Sequence, residues 1–148
     1  RAIFPRLSLP MTPEDMARTH ARAFADTSRG WSAQEIADLL QSPLVFALGD
    51  ARAFALGRAI AGEAELLTLA TDPDHRRKGL ARACLAAFEA SAQARGARTA
   101  FLEVAADNAE ARALYDKAGY GQTARRKGYY ARRDSGPVDA LILQKSIP

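Results

Sequence analysis

Apolar and polar positions along this chain repeat with a period that switches several times between that of a helix and that of a strand. Thr12 precedes Pro13, and a threonine cap with proline at the first helical position predicts a helix from Pro13 to about Phe24. Ser32 with Glu35 three residues on has the form of a capping box, predicting a second short helix that ends near Gln41. The apolar run Pro43 to Gly49 and the stretches Arg52 to Glu63 and Ala64 to Thr71 read as strands joined by glycine-containing turns. Asp72-Pro73-Asp74 ends the last of them, because proline gives no donor to a ladder.

The helical period is clearest from Gly79 to about Arg95, where Leu80, Cys84, Ala87, Phe88 and Ala92 share a face and Gly96 closes the run. Thr99 to Ala105 is a predicted strand, and Asn108 caps a helix running to about Ala118 and stopped by Gly119. Tyr120 to Ala131 and Val138 to Lys145 close the chain as two strands. With one strand ahead of Thr12, the order becomes β, two helices, three strands, helix, strand, helix, two strands. That order predicts a mixed sheet of about seven strands covered by about four helices, of α/β or α+β type.

Composition narrows the reading. The 148 residues include 33 alanines, so the core rests on a modest set of larger apolar side chains, enough for a single domain over residues 1–148. No apolar run approaches the length of a membrane span, and the start of the chain, Arg1 to Met11, carries too short an apolar run for a secretory signal. A soluble cytoplasmic monomer is expected, and Arg1 in place of Met reads as a trimmed or incomplete start. Cys84 is the sole cysteine, and with only His20 and His75 beside it a structural metal site is not expected. The two histidines are expected at the surface without a role. Chemistry then falls to carboxylates, hydroxyls or a bound cofactor.

Net charge is +4. The excess lies in the second half, in one cluster of Arg76, Arg77, Lys78 and Arg82 and another of Arg125, Arg126, Lys127, Arg132 and Arg133. Each residue alone is ordinary solvated surface; two clusters in one half imply an anionic ligand or partner. The first cluster belongs to the most informative stretch, where a strand leads through DPDHRRKGLA into the longest helix. A helix begun by a small-residue turn leaves backbone amides unpaired at the positive end of its dipole, where phosphates bind readily. Neither a Walker A loop nor a G-x-G-x-x-G fingerprint is present.

Two further residues carry candidate chemistry. Strand alternation places Phe101, Glu103 and Ala105 on one face, so Glu103 is a carboxylate in an otherwise apolar strand. Burial there would raise its pKa towards the range of a general base, whereas a sheet edge or a backbone partner would leave it ordinary. Tyr115 shares a helix face with Ala111, Leu114 and Ala118, the position of a packing residue. Cys84 sits on the apolar stripe of the long helix and reads as core.

The run R-x-x-G-x-A from Arg76 to Ala81 resembles the acetyl-CoA signature of the GNAT N-acetyltransferase superfamily, [QR]-x-x-G-x-[GA]. The likeness extends to GWS, LATDPDHRRKGLARACL, FLEVAADNAEARALYDKAGY, RRKGYY and VDALIL, and is strongest to the RimI-type N-terminal acetyltransferases of ribosomal proteins. The resemblance implies the GNAT-type acyl-CoA N-acyltransferase fold with a mostly antiparallel sheet, acetyl-CoA as co-substrate and no metal. It implies that backbone groups of Leu69, Ala70 and Thr71 pair with the pantetheine arm. Arg76, Arg77, Lys78, Gly79, Leu80, Ala81 and Arg82 would hold the pyrophosphate, and Asn108 would contact the cofactor. It further implies Glu103 as general base and Tyr115 as the acid that protonates the leaving thiolate, with a backbone N–H near Leu69 or Ala70 holding the oxyanion. Trp31, Tyr129 and Tyr130 would wall the peptide cleft.

The acceptor follows from acid–base arithmetic as well as from resemblance. At pH 7 an α-amino group of pKa about 7.8 is about 14% neutral, and a lysine near 10.4 about 0.04%. A site with one carboxylate base therefore favours a protein N-terminus, in the family's case an N-terminal Ala of a ribosomal protein, with no membrane or direct nucleic-acid partner. Acetylation of a lysine or small amine, and a non-catalytic CoA- or RNA-binding module that uses the basic face, are the alternatives. The added basic residues Arg132 and Arg133 bear on that choice.

Overall fold

The computed structural model describes residues 11–27, 29–132 and 134–148. Helices α1 (Pro13–Ala23) and α2 (Ala33–Leu40) come first, each opened by a complete capping box, Thr12 with Asp15 and Ser32 with Glu35. Three strands follow, β1 (Val45–Asp50), β2 (Ala53–Ile60) and β3 (Glu63–Thr71), then α3 (Leu80–Ala94), β4 (Thr99–Ala105), α4 (Ala109–Lys117), β5 (Gly121–Tyr130) and β6 (Val138–Ser146). The six described strands lie in the order β1-β2-β3-β4-β6-β5, and β3–β4 is the one parallel pair among them. Six therefore stand against the seven expected; the strand anticipated ahead of Thr12 falls largely outside the described residues. The second strand is shorter than expected, because Ala61 and Gly62 both adopt positive φ (51° and 85°) in a two-residue turn, which hands Glu63 to β3.

The sheet separates two apolar layers. On one face α3, with Leu80, Cys84, Leu85, Phe88 and Ala92 buried, joins Tyr115 of α4 and Leu102, Val104, Leu141 and Leu143 of the strands. On the other, Met16 of α1 and Ile36 of α2 pack on Phe54, Leu56 and Ala70. Gly57 of β2 lets the stacked rings of Phe46 and Phe88 approach the strand: a Cβ built there would lie 2.7 Å from both. No described helix is long and apolar enough to cross a membrane.

One irregularity shapes the sheet. In the β2–β3 ladder Leu56 faces Thr68 while the next residue, Gly57, faces Leu66, so Leu67 is an extra residue on β3. Such a bulge bends its strand and flips the alternation beyond it. Leu66 accordingly packs with α3, whereas Ala70 packs with α1 and α2. The parallel β3–β4 ladder runs from Glu63–Thr99 to Leu66–Leu102 and stops where the bulge begins. Past that point β4 continues against β6 alone, and the two central strands part.

Gly57→Ala would force a methyl between two aromatic rings, and urea unfolding should record a loss of about 1–3 kcal/mol without a change in m-value. An unchanged midpoint would show that the rings can yield.

Candidate active site

The strands part next to the start of α3. Asp72 caps a single 3-10 turn, Pro73–His75, and Arg22 of α1 bonds both Asp72 (3.1 Å) and Asp74 (2.9 Å), tying this loop to the body. Gly79 then adopts φ 75° at the N-cap of α3, where it offers no side chain to the helix, and the space beside it is open. The first cap bond runs from Ala83 N–H to the Gly79 carbonyl, so the amides of Leu80, Ala81 and Arg82 have no helical acceptor. Arg77 also takes a positive φ, 63°, a strained state for a side chain of its size and of a kind that recurs at ligand-binding turns.

The two basic clusters differ in their partners. Arg76, Arg77, Lys78 and Arg82 are exposed, and none forms an ion pair with a described residue; Lys78 reaches the His75 ring at 3.2 Å. In the second cluster Arg125 pairs with Asp139 (3.2 Å), Arg126 with Glu103 (3.7 Å) and Arg132 with Asp107 through two bonds of 2.9 and 3.0 Å. Arg132 also lies over the Tyr130 ring at 5.5 Å, and its hydrogen bonds, then its charge, hold the Asp107 carboxyl below its usual range. Arg133 lies outside the described residues. Among the described residues, Arg76, Arg77 and Arg82 at the α3 turn have no carboxylate partner, whereas Arg125, Arg126 and Arg132 each have one.

Glu103 is the first β4 residue past the last β3 pair. Its surroundings depart from the expected apolar burial: the side chain is 27% exposed, accepts a hydrogen bond from the Tyr130 hydroxyl at 3.0 Å and has the Arg126 guanidinium at 3.7 Å. Burial, then the neighbouring carboxylate, push the Tyr130 phenol well above its ordinary value, so it stays a donor. Tyr130 is thus a partner of the candidate base, while Tyr129, edge-on to it at 5.1 Å, is half exposed; neither lines the cleft that Trp31 lines.

Tyr115 is buried with the cluster that holds Leu102 and Val104, the opposite face of β4 from Glu103. No hydrogen bond joins the two, and the Tyr115 hydroxyl bonds no described residue, although no buried side-chain N or O atom lacks a partner. The hydroxyl therefore reaches solvent. Burial raises the Tyr115 phenol far above 10, keeping its proton in place. Asn108 caps α4 by accepting from the Ala111 amide at 3.1 Å, which leaves its NH2 group as the available donor. Cys84 is fully buried, and desolvation pushes its thiol up to about 12.

Trp31 stands on the β3 side, lining a cleft of about 500 Å³ with Glu35, Asp38, Leu39 and Leu67. Behind it lies a residue misread from sequence: His20 is 3% exposed, not at the surface. Met16, Thr19 and His20 form the buried face of α1, an i, i+3, i+4 pattern that periodicity could have exposed had threonine and histidine counted as candidates for the core. Desolvation lowers the His20 pKa from 6.5 to about 4. Among the described residues no group of three or more His, Cys, Asp or Glu is placed to hold a metal ion.

Residues 12–120 match the sequence profile of the acetyltransferase (GNAT) family. A ribosomal protein bS18-alanine N-acetyltransferase of Escherichia coli K12 is 41% identical over 99 residues, 67% of this chain and 66% of the relative, so the match spans slightly under two thirds of that enzyme. The crystal structure of the ribosomal-protein-S18-alanine N-acetyltransferase from Escherichia coli superposes with a TM-score of 0.80 at 33% identity, covering 91% of this chain and 87% of the other. Ard1 from Thermoplasma volcanium superposes at 0.78 with 25% identity, over 95% and 96%.

His20 gives a pH signature. Between pH 6.5 and about 4 the unfolded chain binds a proton that the folded chain refuses, so His20's contribution is complete above 6.5 and declines as pH falls towards 4. The decline is on the order of 3 kcal/mol. Glu35, held down to about 2 chiefly by its bond with Arg29, acts lower, from 4.5 downwards. Urea unfolding of His20→Phe at pH 7, 5.5 and 4.5 should lack this slope; a slope equal to the parent's would rule out a neutral buried imidazole.

Proposed function

The chain belongs to the acetyltransferase (GNAT) family, and on that premise we propose that it transfers an acetyl group from acetyl-CoA to the α-amino group of a protein N-terminus. The observation that carries this reading is the gap between β3 and β4, with the open α3 turn beside it and Glu103 on its wall. The relatives' named substrate, an alanine of ribosomal protein bS18, makes an N-terminal alanine of a ribosomal protein the proposed acceptor.

The residues present fit acetyl-CoA. The free amides of Leu80, Ala81 and Arg82 and the unpaired cations Arg76, Arg77 and Arg82 suit a pyrophosphate, which needs many donors and positive charge at one point. Leu69, Ala70 and Thr71 lie past the bulge, where β3 has a described neighbour only in β2; their outward backbone groups suit an amide-bearing arm laid down as a further strand. Acetyl-CoA supplies the activated acyl group and a thiolate leaving group.

Glu103 accepts a proton from the acceptor's ammonium, directly or through a water, and the neutral amine attacks the thioester carbonyl while a backbone N–H near Leu69 or Ala70 steadies the oxyanion. Tyr130 and Arg126 hold the Glu103 carboxylate in place. Tyr115 Oη then gives its proton to the departing sulfur. A thiol of pKa about 8.5 takes a proton from a phenol of about 10 only where the surroundings favour the product. The desolvation that raises Tyr115 also raises a thiolate brought beside it, as it does at Cys84, so the transfer is less uphill than the solution values imply. The ion pairs that occupy Arg125, Arg126 and Arg132 support a peptide rather than RNA as partner.

Mass spectrometry of a panel of N-terminal peptides incubated with the protein and acetyl-CoA should find one acetyl group on the α-amine of an alanine-initiated peptide and none on a blocked one. Acetylation confined to lysine side chains would replace this acceptor with the alternative. Glu103→Gln and Tyr115→Phe should each lower kcat/KM about 10²-fold or more. The pair Arg76→Ala and Arg82→Ala should raise the KM for acetyl-CoA about tenfold with kcat nearly unchanged. Activity within a few-fold of the parent in both single variants would remove the assigned roles of Glu103 and Tyr115.

A further inference from the structure

His20 is enclosed by residues from three parts of the fold, and both of its ring nitrogens are engaged. Nδ1 lies 3.1 Å from the Trp31 backbone nitrogen, which can only donate, so Nδ1 is the bare nitrogen. Nε2 therefore carries the hydrogen and donates it to Thr68 Oγ1 at 3.1 Å. The ring stacks on the Trp31 indole at 4.8 Å with planes 21° apart, and Phe24 and Phe54 close two further sides at 4.6 and 6.5 Å. One side chain thus fixes Trp31 through its backbone and its indole together.

Both partners sit where an acceptor would be received. Trp31 walls the cleft on α2, and the residue after it, Ser32, caps that helix, so the direction in which α2 leaves the loop depends on how Trp31 is held. Gly30, before it, lies so close to α1 that an added Cβ would be 2.9 Å from Ala21 Cα, which leaves the loop little room of its own. Thr68 is the first residue of β3 past the bulge, one before Leu69, and is itself nearly buried. The imidazole spans from the cleft wall to the free end of β3.

We propose that His20 is a positioning residue for the acceptor, clamping Trp31 to Thr68 so that the cleft on α2 is held in register with the open edge of β3. This rests on the acetyltransferase reading above. His20 touches neither acetyl-CoA's expected turn nor Glu103; it acts through Trp31 and Thr68. A histidine serving only to fill the core would lower stability when replaced, without separating one substrate from the other. A clamp on the acceptor wall makes that separation.

The test is steady-state kinetics with an N-terminal peptide and acetyl-CoA, run on four variants. His20→Phe keeps a ring of similar size and deletes both hydrogen bonds; it should raise the peptide KM about tenfold while the acetyl-CoA KM stays within about twofold. His20→Asn places an acceptor close to the Nδ1 position and should recover most of the loss, whereas His20→Gln, which can reach Thr68 only, should not. Thr68→Val cuts the other end without touching the stack and should move the peptide KM in the same direction, so the proposal stays testable if His20→Phe fails to fold. Trp31 is the sole tryptophan, so acrylamide quenching of its fluorescence reads the clamp with no substrate present and should rise about twofold or more in His20→Phe. An active parent whose peptide KM is unmoved in the folded variants, or one in which both KM values shift together, overturns the proposal alone. A parent that acetylates no peptide overturns the function and the proposal together, even where the quenching responds as expected.

Discussion

The single extra residue at Leu67 is the constraint from which the rest of the site follows. Two adjacent parallel strands would ordinarily pair along their shared length; here pairing stops at Leu66–Leu102, because the bulge turns β3 away. Backbone donors and acceptors left unpaired near the middle of a sheet are costly unless water or a ligand meets them. The fold accepts that cost at one place, beside the turn that opens α3. A chain carrying amides along its length and phosphates at its end satisfies both openings, which is why the proposed co-substrate follows from the architecture as well as from the family.

Charge is sorted by the same architecture. Arg125, Arg126 and Arg132 belong to β5 or the loop after it, and each lies against a carboxylate from β4, β6 or the turn before α4. These pairs fix the end of β5 over Glu103. Arg76, Arg77 and Arg82 lie at the α3 turn with no described carboxylate near enough to pair, next to amides that already favour an anion. Two clusters of similar composition therefore differ in their surroundings: Arg125, Arg126 and Arg132 are paired with carboxylates, whereas Arg76, Arg77 and Arg82 have no carboxylate partner among the described residues.

Local signals were legible in the sequence and long-range ones were not. Thr12, Ser32 and Asn108 cap the helices expected of them, because a cap is decided within four residues. The order of elements from α1 onward was likewise readable from turn chemistry and periodicity, while the GNAT fold and the family were implied by the resemblance carried by the run Arg76 to Ala81 and the segments around it. The bulge was not read from the sequence: the alternation of Glu63 to Thr71 breaks at Leu66-Leu67, but two adjacent apolar residues also suit a strand buried on both faces, and only the register against β2 reveals the extra residue. The environment of Glu103 was misjudged for a related reason: its neighbours on β4 are apolar, and the residues that keep it polar, Arg126 and Tyr130, come from β5. His20 was passed over because a polar residue on an amphipathic helix reads as surface until the partners that satisfy it, Trp31 and Thr68, are brought to it.

The placement of Glu103 and Tyr115 on opposite faces of β4 bears on how the proposed reaction must run. A base and an acid acting on one molecule usually stand near each other, and no described contact connects these two. Their separation suits a reaction with two substrates that enter from different faces and meet in the plane of the sheet. In the proposed reaction the acceptor would lose its proton on the α1–α2 face, where Glu103 and Trp31 lie, and the leaving thiolate would gain one on the α3–α4 face, where Tyr115 is buried. The acyl group alone crosses between them. The proposed layout needs no acyl-enzyme, because nucleophile and thioester would meet directly in the gap, and Cys84, sealed in the core with its thiol pushed up to about 12, is unsuited to form one.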